Sequence, residues 1–311
     1  MATGPARELR SRVLGAWDAL LELAAESGRD ELGPLADLGS WPERPVLERL
    51  IAQAEAGAGA AGTQAEAPAE APAEAETGDS GAEAGVRGDG AAVAARVDHG
   101  GDGREAILEA LGDARARVAD ALTLTERRPA LALVELDSAL GPLPLLTQVH
   151  AMCHELALAA LRLPGTRAGE GTGEPVLPAP VGDAGVAALV DVVGALAHRQ
   201  GLRARAAVWD RTAGGWQFQA DGTGWTTTSC AETPPPGVPG IEGPAATVLG
   251  VPSGRAALPA LLARGDLRLY RIGGLMALAP LVEQVPGLPG GALLRWAVGV
   301  VGLLGRLPGV R

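Results

Sequence analysis

The stretch Leu202-Arg-Ala-Arg-Ala-Ala-Val-Trp-Asp-Arg-Thr-Ala-Gly-Gly-Trp-Gln-Phe-Gln-Ala-Asp-Gly-Thr-Gly-Trp-Thr-Thr-Thr-Ser-Cys230 decides the fold class. It holds three short strand-like runs, 202–209, 216–220 and 225–230. Ala213-Gly214-Gly215 and Asp221-Gly222-Thr223-Gly224 separate them, and such Gly-rich breaks between strand-like runs signal hairpins. A helix over about 183–199, with Val186, Leu189, Val190, Val193 and Leu196 on one face, precedes the runs. A proline-rich loop (234–239), a strand at 245–249, a helix over about 253–264, a strand at 267–272 and a helix over about 273–285 follow. The expectation is an α+β unit, an antiparallel sheet with packed helices, over 181–288.

Upstream the spacing is helical. Leu9, Val13, Leu14, Trp17, Leu20 and Leu21 predict a helix over about 6–26. Ser40 and Glu43 have capping-box spacing, and Pro42 and Pro45 suit a first turn, so a second helix covers roughly 43–56. Ile107, Leu108, Leu111, Val118 and Leu122 mark a third over about 104–122. Leu145, Val149, Met152, Leu156 and Ala160 mark a fourth from about 143 to 163, ended by Pro164-Gly165. The expected architecture is a four-helix bundle over 1–163, a linker at 164–180, the α+β domain, and an apolar tail at 289–311.

Between the second and third helices, residues 54–103 contain Ala, Gly, Glu and Pro with almost no large apolar side chain. Such a segment cannot bury enough surface to offset its ordering entropy and reads as a disordered acidic insertion. Its Gly57-Ala-Gly59-Ala-Ala-Gly62 matches a dinucleotide fingerprint by letter only, with no strand before it. In the tail, Arg295 and Arg306 interrupt the apolar run, which is too short between them to span a bilayer. Docking onto the second domain is the main expectation for it, weak membrane-surface contact the lesser.

Composition narrows the chemistry. The 311 residues include 45 Gly and 24 Pro but no Lys and no Asn, and all 26 basic residues are Arg. The residues missing or scarce use A/T-rich codons and the abundant ones G/C-rich codons, which points to a G/C-rich bacterial genome. Without Lys there is no Walker A lysine, no Schiff base and no Ser-Lys dyad. Two cysteines, Cys153 and Cys230, are too few for a disulfide framework or a four-thiolate zinc site, and no signal pattern opens the chain, so a cytoplasmic protein is expected. The net charge of −11 argues against nucleic acid as a partner.

One cluster has site-like spacing: His150-Ala-Met-Cys153-His154-Glu155. His150 and His154 stand at i and i+4, so both imidazoles would reach one metal from one side of a helix. The plainer alternative is a solvated or hydrogen-bonded pair flanking the apolar face. Cys153 and His154 point about 100° apart, so they are no catalytic dyad. Cys230 reads as an ordinary thiol, Glu135 and Asp137 have no evident acid–base role, and Trp209, Trp216 and Trp225 either line an apolar pocket or fill the core.

The order of parts resembles the mycothiol-dependent maleylpyruvate isomerase family, with its DinB-like four-helix bundle and C-terminal domain like sterol carrier proteins. Trp41-Pro-Glu-Arg-Pro-Val46-Leu47-Glu-Arg49-Leu50 is similar to the family's W-x-V-x-D-V-x-x-H-L helix, and Cys153-His154-Glu155-Leu156-Ala157-Leu158-Ala159 to its h-E-L-x-x-H helix. Residues 243–264 resemble its G-x-A-x-x-L-x-x-L-L-x-x-R segment. The resemblance implies a divalent metal held at three positions, which here carry Arg49, Glu155 and Ala159. One ligand of three survives. A guanidinium at the vacated site repels a cation, so the expectation is a non-catalytic relative that needs no cofactor and binds a small apolar ligand or a protein partner. The alternative is an isomerase or thiol transferase using mycothiol and a divalent metal such as zinc, with Glu155, His154 and His150 as ligands. A third reading gives the acidic insertion and the tail an interaction role.

Overall fold

The computed structural model describes residues 6–28, 31–39, 103–136, 138, 140–163, 166, 176–230, 236–251, 258–278 and 280–281. The expected helix at 43–56, the acidic insertion up to 102, Trp41, Arg49, His99, Asp137 and the tail lie outside them.

Four long helices pack together: α1 (Ala6–Glu26), α3 (Gly103–Arg127), α4 (Leu145–Ala160) and α5 (Ala179–Arg199), with the single turn α2 (Ala36–Gly39) against α3. Leu9, Val13, Ala16, Trp17, Leu20 and Ala24 are the buried stripe of α1. Their recurrence every three to four residues is the amphipathic pattern that packing rewards. A two-stranded ladder, β1 (Glu135–Leu136) with β2 (Leu143–Pro144), leads into α4. Gln148 Nε2 fixes that approach by donating to the carbonyls of Leu136 and Leu143 at 2.7 and 3.1 Å.

Helix α5 is buried almost all round, from Val181 to Ala197. One side meets α1 and α4, and the other lies on the sheet. Pro178 and Pro180 start it, and Gly201 stops it at φ 66°, where the Leu202 N–H returns to the Ala197 carbonyl. Two of its glycines permit close approach. A Cβ on Gly185 would stand 2.8 Å from Ala157 Cβ on α4, and one on Gly194 would stand 2.9 Å from Trp225 Cδ1 on the sheet.

The sheet has strands β3 (Ala204–Asp210), β4 (Gly214–Ala220), β5 (Trp225–Cys230), β6 (Gly240–Glu242) and β7 (Arg268–Tyr270), in the order β5-β4-β3-β6-β7. The three runs of the opening stretch form an antiparallel meander as their turns predict. Asp221 Oδ1 closes the second turn by accepting from the Thr223 and Gly224 N–H groups. Beyond the meander two expectations are corrected. The sheet is mixed, because β6 runs parallel to β3. The strand expected at 245–249 is a helix, α6 (Ala245–Gly250), and the pairing lies earlier, at Gly240–Glu242. Gly240 explains the shift: any Cβ there would stand 2.3 Å from the Ala207 carbonyl oxygen, so this close pairing requires glycine. Pro244 then begins a helix despite the β-branched Thr247 and Val248. Helix α7 (Leu258–Arg264) precedes β7, and of the helix expected at 273–285 the described residues show the short α8 (Ile272–Leu275), a 3₁₀ turn at Met276–Leu278 and helical residues 280–281, the remainder lying outside the described residues.

Together the described residues form an α+β fold of helices on a mixed sheet. One apolar core runs from α1 through α5 to the inner sheet face, and a small second cluster of Ala207, Trp209 and Val238 lies on the outer face.

Candidate functional site

The buried polar residues converge where α4, α5 and the sheet meet. Asp191, at mid-length in α5, is 1% exposed. Its Oδ1 accepts from Trp225 Nε1 at 3.0 Å and from Thr227 Oγ1 at 2.8 Å, both on β5. Its Oδ2 lies 3.1 Å from His150 Nδ1 on α4. A carboxylate only accepts, so Nδ1 carries the proton and, in the neutral ring, Nε2 has the bare lone pair. Burial alone would raise the Asp191 pKa. The hydrogen bond and charge of His150, then the Trp225 and Thr227 donors, outweigh it and hold the carboxyl below its ordinary range.

Of the three residues expected to gather round a metal, two turn inward and one outward. His150 and His154 are 3% and 4% exposed. Both nitrogens of His154 and Nε2 of His150 are buried without hydrogen-bond partners. The Glu155 side chain is 58% exposed, 3.6 Å from His154 Nδ1, and the His154 contact draws its carboxyl below the usual range against a smaller effect of burial. Ala159 is buried and offers no donor atom. Among the described residues no group of three or more His, Cys, Asp or Glu is arranged to hold a metal ion. The described residues therefore do not assemble the three-ligand set that the resemblance implies.

An Asp–His pair with a bare Nε2 is two parts of a nucleophilic triad. The third part has no counterpart among the described residues, because Nε2 of His150 has no hydroxyl or thiol within hydrogen-bond distance. Cys153, one turn along α4, is fully buried, and burial pushes its thiol up to about 12, with Arg12 opposing. A thiol held that high is protonated near neutrality.

Arg12 of α1 closes the rim of this region. Its guanidinium lies 3.9 Å from the Trp216 ring centroid, and Trp216 Nε1 donates to Asp183 Oδ1 at 2.8 Å. Burial lowers the Arg12 pKa, and Asp183, Cys153 and Asp191 act against that. The three strand tryptophans share no pocket: Trp225 and Trp216 face α5, and Trp209 faces the outer cluster beside Tyr270, centroids 5.1 Å apart. Cys230 is half-buried in that outer cluster and Glu135 is exposed on β1. His198 caps the β4–β5 turn through the Asp221 carbonyl.

Sequence reasoning found His150 but missed Asp191, Thr227, Arg12 and Asp183. One signal was present: Asp191 is the lone charge in the apolar run 184–197, where a carboxylate must find donors or be expelled. No family model, curated protein or solved structure matches the chain.

Proposed function

We propose that this chain is a non-catalytic member of the maleylpyruvate isomerase and DinB-like superfamily, a helical bundle serving as scaffold for a sterol-carrier-like domain that binds a protein partner or a small apolar ligand. The observation that carries the reading is the Asp191–His150 pair. It engages His150 as a strut between α4, α5 and β5, while the Glu155 side chain is 58% exposed. Metal analysis of the purified full chain tests the reading. The expectation is no stoichiometric divalent ion. One ion per chain, removed by chelator with loss of thiol-dependent turnover, overturns it.

The second reading is a mycothiol- and divalent-metal-dependent isomerase or thiol transferase in the cytoplasm. The bare nitrogens of His150 and His154, one turn apart, favour it, since Asp191 would then orient a ligating imidazole from behind. His154→Ala should abolish metal uptake and turnover under this reading. Unchanged metal content and turnover would end it.

A further inference from the structure

On the outer face of the sheet two arginines meet one carboxylate. Glu242 ends β6, and the ladder pairs it with Trp209 on β3 and with Arg268 on β7, while Arg211 directly follows β3. Arg211 Nε stands 2.5 Å from Glu242 Oε1, and Arg268 Nη1 stands 4.0 Å from the same oxygen. Tyr270 Oη donates to Oε2 at 2.6 Å, so both carboxylate oxygens are engaged and the side chain is 7% exposed. Among the described residues the other arginine–carboxylate pairs are one to one: Arg10 with Glu126, Arg115 with Asp18 and Arg264 with Asp266. One carboxylate cannot neutralise two guanidiniums, so this spot keeps excess positive charge in a chain of net charge −11. The neighbouring acids are engaged elsewhere. Asp210 Oδ1 accepts from the N–H and the hydroxyl of Thr212 at 2.7 and 2.6 Å, and Asp266 pairs with Arg264 at 2.7 Å.

A guanidinium carries five N–H donors. Arg211 is held by Glu242 and Tyr270, which leaves most of its donors uncommitted, and Arg268 at 4.0 Å is too far from Glu242 for a hydrogen bond. Both arginines are more than half exposed above a buried brace. Holding the two side chains in place beforehand lowers the ordering cost of taking up a guest. We propose that Arg211 and Arg268, braced by Glu242 and Tyr270, form an oxyanion clamp that binds a phosphate monoester. A phosphomonoester offers three terminal oxygens and a charge of about −1.5 to −2 near neutrality, enough to bridge two guanidiniums. A carboxylate guest, with one charge and two oxygens, would leave one guanidinium unmet. The shared chemistry is the terminal phosphomonoester, whether a soluble molecule or a lipid headgroup carries it. The inference does not rest on the superfamily reading.

Titration of the full chain with glycerol 3-phosphate, followed by arginine Nε–H and backbone amide NMR signals, tests it. The expected result is a saturable shift in the millimolar range centred on residues 209–211, 240–243 and 268–270. Arg211→Gln and Arg268→Gln should each weaken binding about tenfold, the loss of one charge-assisted contact. Arg115→Gln, which removes the same charge from a one-to-one pair, should change it less than about twofold. Phosphatidylcholine vesicles with and without phosphatidic acid separate the two sources. Retention on phosphatidic acid that Arg268→Gln abolishes assigns the headgroup, and saturation by the soluble ester without vesicle retention assigns a soluble ligand. No saturable shift up to about 20 mM together with no vesicle retention overturns the proposal. So does an Arg115→Gln loss as large as that of Arg268→Gln.

Discussion

Among the described residues one covered carboxylate lies against each face of the sheet, and the two are held in opposite ways. On the inner face Asp191 is surrounded by an indole N–H, a hydroxyl and an imidazole, and no arginine among the described residues hydrogen-bonds it. On the outer face Glu242 meets Arg211 Nε, accepts from Tyr270 Oη at 2.6 Å, and lies 4.0 Å from Arg268. Both arginines are more than half exposed. Burial again acts to raise Glu242, and Tyr270 and Arg211 bring its pKa below the ordinary range. The difference is one of connection. Asp191 ties three separate elements through the molecule's interior, whereas Glu242 ties neighbouring strands and a turn at the rim, where solvent can replace a lost partner.

The largest test of that contrast is Asp191→Ala. Removing the acceptor strands Trp225, Thr227 and His150 together, and breaking a buried pair this way costs about 3–5 kcal/mol, readable by urea unfolding. A loss under about 1 kcal/mol would make the inner carboxylate no more structural than the outer one. Its pH dependence is signed. Because Asp191 titrates below its unfolded value of about 3.9, its contribution is complete above about pH 4 and declines as pH falls through the folded-state pKa. Asp191→Asn should therefore flatten the acid limb of stability relative to wild type.

Gly194→Ala comes next, since its Cβ would meet Trp225 at 2.9 Å and Phe218 at 3.1 Å. Overpacking of this kind costs about 1–3 kcal/mol, partly offset by better helix propensity. Thr227→Val removes a single donor to Asp191 and should cost about 1–2 kcal/mol. The smallest loss belongs to the rim: Glu242→Gln, which keeps the shape and an acceptor for Tyr270, should cost about 1 kcal/mol or less. If Glu242→Gln exceeds Thr227→Val in parallel thermal melts, the contrast fails.

The local features were legible in the sequence and the long-range ones were not. Gly-rich turns and alternating runs gave away β3 to β5, and heptad-like leucines gave away α1, α3 and α4, because those signals act between near neighbours. The parallel β3–β6 pair leaves no such trace: its register rests on Gly240 fitting against Ala207, a contact between distant segments. Thr247-Val248-Leu249 has strand propensity that Pro244 and packing against α5 override. At the site, the i, i+4 histidines were readable, but which nitrogen of His150 is engaged depended on Asp191, forty-one positions beyond it.

The all-round burial of α5 has a consequence during synthesis. By length and composition it is the one helix among the described residues able to cross a membrane, yet 83% of its apolar window is buried against its own chain. Part of that cover, β3 to β5, is encoded after it. For about 30 residues of elongation, on the order of 2–6 s at ~5–20 residues per second, the nascent chain displays an apolar helix whose sheet does not yet exist. Rapid closure of the two hairpins is then what separates folding from misrouting to a bilayer or to aggregates.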